Sequence, residues 1–198
     1  GFDPTRVPTA ATYSAGARLA DSVIAQHRAR HDGRLPRRLL FNLWGTETNR
    51  HEGAIEGEIL ALMGVRPVWD QRGRVSGVTL IPRDSLGRPR VDVTIVPSGL
   101  YRDLFPNVMR VLDSAVTLVK SSPEADNPMR AHIAQAREAL RTRGLSDTEA
   151  ERMATVRKKL RRAGGRAAAV PPADANYHDY NETATETATE TETGGGEA

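Results

Sequence analysis

The sequence predicts an α/β fold: a largely parallel sheet with flanking helices, then a helical C-terminal part and a disordered tail. Three observations support this prediction. Over residues 1–120, short β-branched runs alternate with segments of helical periodicity, as in strands joined by helices. Residues 121–160 show helical patterns only. Residues 161–198 contain a basic run and a low-complexity acidic tail, whose few apolar side chains cannot offset the entropy of ordering.

The first half of the chain predicts a helix, a strand and a second helix, in that order. The first helix is expected over 9–31, with Thr9 as N-cap and apolar residues at three- and four-residue spacing. Residues 39–44 form a short apolar run, which predicts a buried strand. The second helix is expected over 52–63, and Gly64 ends it.

The second half continues the alternation and then becomes helical. Strands are predicted at 65–69, 75–81 and 91–96, and helices at 102–120, 128–143 and 146–160. Arg90 and Asp92 lie on the same face at a spacing of two, which predicts an ion pair between them. The last helix opens with Ser146 and Glu149, the spacing of a capping box.

Composition and charge exclude several classes of protein. The chain has 198 residues and no cysteine, which excludes a disulfide scaffold, a thiolate metal site and a cysteine nucleophile. No apolar run approaches the roughly 18 residues of a membrane span and no secretory leader opens the sequence, so we expect a cytoplasmic protein without a membrane span. The net charge of +3 comes with a short basic run typical of a solvated helix end, so no nucleic-acid partner is expected.

Two polar segments, 45–53 and 97–103, directly follow two of the predicted strands, and both are expected to be loops. Ligands of open α/β sheets lie beyond the carboxyl ends of the strands. If the two strands belong to one parallel sheet, both segments open on the same side and can build one site. The candidate functional side chains there are Glu47, Arg50, His51, Glu52, Ser98 and Arg102.

The carboxylate and imidazole groups suggest metal or proton chemistry. Glu52 and Glu56 are one helical turn apart, so they are either joint ligands of a metal ion or solvated side chains. His51 is a metal ligand, a proton relay near neutral pH, or simply an exposed residue. Ser98 lacks the flanking pattern of a nucleophile elbow, so serine-hydrolase chemistry is not expected.

Several short motifs occur in an order that is specific to one family. They are LWGTE at 43–47, LMGVRPVWD at 62–70, GRPRVDV at 87–93 and SGLYRDLFP at 98–106, with FDP at 2–4 and NPMRAH at 127–132. This series resembles the large subunits of ATP-dependent cobaltochelatase and magnesium chelatase. The resemblance covers about residues 1–157. Because members of that family are several times longer, we expect this chain to be a fragment.

The resemblance implies insertion of a metal into a tetrapyrrole. For the cobalt branch, the large subunit binds Co²⁺ and hydrogenobyrinic acid a,c-diamide in cobalamin biosynthesis. ATP is hydrolysed by an AAA+ ATPase partner, and a further partner carries an integrin-I-type domain. Two alternatives are a magnesium chelatase large subunit, which inserts Mg²⁺ into protoporphyrin IX, and a truncated, non-catalytic copy. The sequence contains no Walker A motif, which agrees with ATP hydrolysis by a partner.

Metal insertion requires that the ion lose water and that two pyrrole N–H protons leave. Carboxylates and imidazoles can perform both steps, and arginines can pair with the carboxylates of the substrate. We therefore expect Glu47 and His51 to be catalytic, His51, Glu52 and Glu56 to ligate the metal, and Arg50, Arg102 and Ser98 to bind substrate.

Overall fold

A computed structural model describes residues 2–146, 148 and 149, and helices and strands alternate along this part of the chain. After a 3₁₀ turn at Pro4–Arg6, the elements are α1 (Ala10–Arg30), β1 (Arg38–Leu43), α2 (Gly45–His51), α3 (Ala54–Leu62), β2 (Val65–Trp69), β3 (Val75–Leu80), α4 (Arg83–Leu86), β4 (Asp92–Pro97), α5 (Gly99–Leu104), α6 (Pro106–Ser121) and α7 (Pro128–Arg141). The predicted α/β class, with a parallel sheet and flanking helices, is confirmed.

The four strands form two separate pairs. Strands β1 and β4 are parallel and in register, from Arg38 beside Asp92 to Leu43 beside Pro97. Strands β2 and β3 form an antiparallel hairpin. The difference follows from the connections, because a tight turn can join only antiparallel strands whereas parallel neighbours need a long crossover.

The described residues cover one face of the parallel pair, and cover the other face only at its amino-terminal end, at Asp92. Val93 and Ile95 of β4 are buried in the core, as is Leu43 of β1. On the opposite face Leu40 is 44% exposed. The prediction of a buried strand at 39–44 is therefore correct for one side of β1 and wrong for the other, since successive side chains point to opposite faces.

Helices α1 and α3 cross at two glycines and enclose the centre of the core. A Cβ atom on Gly57 would lie 2.8 Å from the Cα atom of Tyr13. The start of α1 is as predicted, with the Thr9 hydroxyl accepting the Thr12 N–H at 3.1 Å. On α3, Ile59 is fully buried. The absence of side chains at the crossing lets the two backbones approach closely.

One predicted helix is two helices in the structure. The sequence predicts a continuous helix over 102–120, but α5 ends at Leu104 and α6 begins at Pro106, with Phe105 between them. Proline removes a backbone donor and crowds the preceding turn, so it is compatible with the first turn of a helix and not with its interior.

Two arginines complete the C-terminal end of α3. Arg88 donates to the carbonyls of Ala61 and Leu62, at 2.8 and 3.1 Å. The guanidinium of Arg90, 2% exposed, uses all five of its N–H groups. Its acceptors are the carbonyls of Met63, Gly64 and Ile81 and both carboxylate oxygens of Glu124, at 2.6 to 3.1 Å. Buried carbonyls at a helix end need such donors.

The predicted ion pair between Arg90 and Asp92 is wrong. Asp92 binds Arg38 at 3.2 Å and His132 at 2.9 Å instead. Both side chains are buried, but Arg90 lies before the start of β4, and the two residues have partners from different elements. A two-residue spacing fixes the face of a strand residue but not its nearest opposite charge.

The capping box at the start of the last predicted helix is confirmed. The Ser146 hydroxyl donates to the Glu149 carboxylate at 2.6 Å, and the Glu149 N–H donates to the Ser146 hydroxyl at 3.4 Å. The remainder of that helix and the predicted tail at 161–198 lie outside the described residues. Within the described part of the chain, no helix has both the length and the apolarity to cross a membrane.

The buried carboxyl group of Glu58, on α3, should make the stability of the fold depend on pH. Burial raises its pKa from an ordinary value of 4.5 to about 7. The folded state therefore binds this proton more tightly than the unfolded state does. The stabilisation that the bound proton gives to the fold is present at low pH and is lost as pH rises through about 7. We expect Glu58→Gln, which stays neutral, to be more stable than the wild type at about pH 8, with the advantage shrinking towards about pH 5. Urea unfolding at both pH values measures it, and a pH-independent difference would contradict it.

Candidate functional site

The two polar segments lie side by side at the carboxyl edge of the parallel strands. Leu43 and Pro97, at the strand ends, are register partners. The Ser98 N–H donates to the Leu43 carbonyl at 2.9 Å, just beyond both strands. A Cβ atom on Gly45 would lie 3.2 Å from the side chain of Leu100, so α2 and α5 begin in direct contact. As expected, the residues after β1 and β4 can contribute to one site.

Both segments are largely helical, so the prediction of loops at 45–53 and 97–103 is wrong; in the second, α5 begins at Gly99. Helix α2 occupies Gly45–His51, and α3 begins at Ala54 after a tight left-handed connection. Glu52 and Gly53 form this connection with φ values of 50° and 88°. Thr48, 1% exposed, anchors α2 to the interior, which explains how so polar a segment is held as a helix.

Glu47 and Arg50 form an ion pair on the solvent side of α2. Their side chains are 50% and 75% exposed, and the carboxylate and guanidinium are 2.9 Å apart. Both predicted site residues are therefore accessible from solvent. An exposed pair of this kind adds little stability, so a ligand can replace either partner at a small cost in free energy.

His51 caps the start of α3. Its Nδ1 atom accepts the N–H groups of Gly53 and Ala54, both at 3.2 Å. Gly53 is the N-cap and has no side chain, so the imidazole provides the acceptor that a capping side chain normally supplies. In neutral imidazole this leaves the ring proton on Nε2.

Glu56 points into the protein. It is fully buried, and one carboxylate oxygen accepts the Thr48 hydroxyl at 2.7 Å. The other oxygen lies 4.0 Å from His51 Nδ1. Because that nitrogen already accepts two backbone N–H groups, the contact is not a hydrogen-bonded ion pair.

Sequence reasoning missed Tyr101, which lies beside Glu56. Tyr101 is fully buried on α5, and neither its hydroxyl nor the second Glu56 oxygen has a hydrogen-bond partner among the described residues. Burial first, and the adjacent Glu56 carboxylate second, raise the pKa of Tyr101 far above its usual range. The phenol therefore stays neutral. Its only sequence signal is membership of the SGLYRDLFP motif.

The expectation that Glu52 and Glu56 share one helical face is wrong. Glu52 is the exposed residue that ends α2, whereas Glu56 is buried on α3. The left-handed connection separates them. Across residues 2–146, 148 and 149, no three His, Cys, Asp or Glu side chains are grouped to hold a metal ion. Metal ligation by His51, Glu52 and Glu56 stays a prediction.

The predicted residues after β4 have different surroundings. The Ser98 hydroxyl accepts the Tyr101 N–H at 3.1 Å and caps α5. Arg102, on the next turn, is exposed. Ser98 therefore has a structural role at the site, and Arg102 lies exposed at the same edge as Glu47.

This geometry defines a class of protein. It is an α/β domain whose polar edge lies where parallel strands end and two helices begin, the usual position of a ligand site in such sheets. The groups there are an exposed carboxylate, a partly buried imidazole and exposed guanidinium groups, which can bind an anionic ligand and accept or donate protons.

Residues 1–161 match the family described as CobN/Magnesium Chelatase, and the chain belongs to this family. A magnesium-chelatase subunit of Rhodobacter capsulatus is 42% identical over 135 residues, 67% of this chain and 11% of that protein. The aerobic cobaltochelatase subunit CobN of Pseudomonas aeruginosa is 38% identical over 155 residues, 77% of this chain and 12% of that protein.

A solved structure confirms the fold. The catalytic subunit of cobaltochelatase from Mycobacterium tuberculosis is 44% identical with a TM-score of 0.67 over 77% of this chain. The match covers 12% of that subunit. The chain thus corresponds to about one eighth of the length of the chelatase subunits that it resembles.

Proposed function

We propose that this chain carries part of the site at which a chelatase large subunit inserts Co²⁺ into hydrogenobyrinic acid a,c-diamide in cobalamin biosynthesis. The observation that supports this most is the convergence of α2 and α5, which places Glu47, Arg50, His51 and Arg102 at one sheet edge. In this proposal ATP is hydrolysed by a cytoplasmic AAA+ ATPase partner, and an integrin-I-type subunit completes the complex. The chain alone binds substrate but does not insert metal.

The exposure of each residue suggests its role. Arg50 and Arg102 pair with peripheral carboxylates of the tetrapyrrole, through charge-assisted hydrogen bonds. Glu47 is half exposed. Once Arg50 turns to the substrate, the Glu47 carboxylate accepts a pyrrole proton. Ser98 holds α5, and with it Arg102, in place through its cap.

His51 and the proposed metal ligands impose a constraint on the reaction. Ligation of Co²⁺ by Nε2 requires the ring proton to leave that atom, which in neutral imidazole means placing it on Nδ1. Nδ1 then loses the N–H groups of Gly53 and Ala54, so metal binding by His51 loosens the start of α3. Glu52 is already exposed and needs no such change, whereas Glu56 is fully buried and must become accessible before it can reach the ion.

Tetrapyrrole titration of the chain tests the proposal. We expect the absorbance spectrum of metal-free hydrogenobyrinic acid a,c-diamide to shift on binding, and Arg102→Gln to weaken binding about tenfold because one charged hydrogen bond is lost. Arg18→Gln is the matched control, since Arg18 is exposed on α1, which belongs to neither of the two polar segments. Tighter binding of protoporphyrin IX would favour the magnesium alternative, and no binding of either macrocycle would refute the proposal.

The proton and metal roles are tested in a full-length cobaltochelatase large subunit that contains this segment. Glu47→Gln keeps an acceptor for Arg50 but removes the base, and His51→Asn keeps an acceptor for the cap of α3 but removes the imidazole. We expect each to lower the rate of Co²⁺ insertion at least about 100-fold while the fold is retained. Unchanged insertion in both variants would contradict these roles.

A further inference from the structure

A group of exposed apolar side chains lies around the same sheet edge. Eight large apolar side chains are exposed in the described part of the chain, at 37% to 59%. Five of the eight lie on the parallel strands, directly after β1 or on α5: Leu40, Trp44, Val96, Leu100 and Leu104. We call these five the apolar edge surface. Single exposed apolar residues are ordinary, but a group of this size marks an interaction surface.

Register and helix contact make the five residues neighbours. In the parallel pair, Leu40 lies beside Thr94 and Asn42 beside Val96, so Leu40 and Val96 share the open face. A Cβ atom on Gly45, next to Trp44, would lie 3.2 Å from the side chain of Leu100, so the starts of α2 and α5 are adjacent. Leu104 is one helical turn beyond Leu100 on α5. The open sheet face and its carboxyl edge therefore form one surface.

Parallel sheets are normally covered on both faces, and a two-stranded sheet is marginal alone. Within the described residues only the amino-terminal end of the open face is covered, where His132 of α7 contacts Asp92 at 2.9 Å. From Thr94 onwards the face is half-buried or exposed. The surface has the chemistry of a helix–sheet interface without its helix.

We infer that the apolar edge surface is the docking surface for an amphipathic helical segment of a chelatase large subunit outside this chain. The matched segment is only 12% of the cobaltochelatase subunit of known structure, so the rest of such a subunit provides ample chain to cover it. Arg38 and Arg50, beside the surface on β1 and α2, already pair with Asp92 and Glu47. The docking helix is therefore recognised through an apolar stripe on one of its faces. This inference rests on family membership and not on the proposed chemistry.

The test compares two double variants in two settings. Leu40→Ser with Leu100→Ser alters the surface on a strand and a helix. Val68→Ser with Leu19→Ser alters residues of similar exposure, 44% and 42%, on another strand and helix. Each pair is made in the isolated chain and in a full-length Pseudomonas aeruginosa cobaltochelatase subunit in which residues 2–146 replace the matching segment.

In the isolated chain both pairs should leave the thermal midpoint within about 2 °C of the wild type. In the full-length subunit the surface pair should lower the midpoint by about 3 °C or more relative to the control pair, because it now removes buried contacts. Equal shifts for the two pairs would refute the inference. A concentration-dependent dimer of the isolated chain that only the surface pair dissociates would assign the surface to a second copy instead.

Footprinting provides a second measurement that needs no variant. Hydroxyl-radical oxidation of Trp44, 59% exposed in the isolated chain, should fall at least about fivefold in the full-length subunit. Equal oxidation in both settings would refute the inference even if the tetrapyrrole binds as proposed. Protection of Trp44 in the isolated chain by added tetrapyrrole alone would assign the surface to the substrate.

Discussion

Arg90→Met should lower the free energy of unfolding by about 3–5 kcal/mol, the effect of removing one partner from a buried ion pair. The reason is the completeness of the network around this guanidinium. Its five N–H groups satisfy three carbonyls and both oxygens of Glu124. Methionine fills part of the volume but leaves those carbonyls and the Glu124 carboxylate without donors.

The same variant should change the response to acid. The hydrogen bond from Arg90 holds the pKa of Glu124 below its usual range. The stabilisation from this lowered pKa is present at neutral pH and is lost as pH falls through the folded value, so acid should weaken the wild type more than Arg90→Met. Denaturant unfolding at about pH 7 and about pH 3 measures both effects.

Arg83→Ala is the matched control for Arg90→Met. Arg83 also pairs with a carboxylate, Asp126, at 2.8 Å, but the two side chains are 34% and 43% exposed. An exposed pair is worth about 1 kcal/mol or less. If the two variants lost equal stability, the network around Arg90 would not be a main source of the stability of this fold.

Hydrophobic periodicity and capping residues predict those helices and strands whose formation depends on residues close together in the sequence. Residue type and spacing identify Thr9 and Ser146 as caps, and both make the expected bonds. The helix at 45–51 cannot be predicted in this way, because its polar composition gives no apolar stripe. Its stability depends on contacts such as Thr48 with Glu56, eight residues later, which no local pattern contains.

The candidate site is predictable in position but not in internal arrangement. Strand ends followed by polar residues correctly place Glu47 and Arg102 at one edge, because parallel neighbours end together. The inward direction of Glu56 depends on the left-handed connection at Glu52 and Gly53. That connection shifts the register between α2 and α3, so counting along one continuous helix gives the wrong face.

Gly16→Ala should destabilise the fold by about 3 kcal/mol, although alanine is the better helix former. A Cβ atom on Gly16 would collide with backbone atoms of α3, at Ala54, Gly57 and Glu58. Side-chain rotation cannot relieve a collision with backbone, so α1 and α3 must separate and loosen the core around Ile59. The intrinsic gain of about 1 kcal/mol from replacing a helical glycine is smaller than this loss.

Gly77→Ala tests whether the effect comes from the crossing of α1 and α3. A Cβ atom on Gly77 would meet nothing within 4 Å, so we expect a change within about 0.5 kcal/mol. Thermal and urea unfolding of both variants measure the difference. Because Gly16 packs against the same helix that His51 caps, separation of α1 from α3 should also weaken tetrapyrrole binding, whereas Gly77→Ala should leave it unchanged. Equal stability of the two variants would mean that the helices adjust without loss, and the close approach at Gly16 would then not constrain the position of α3.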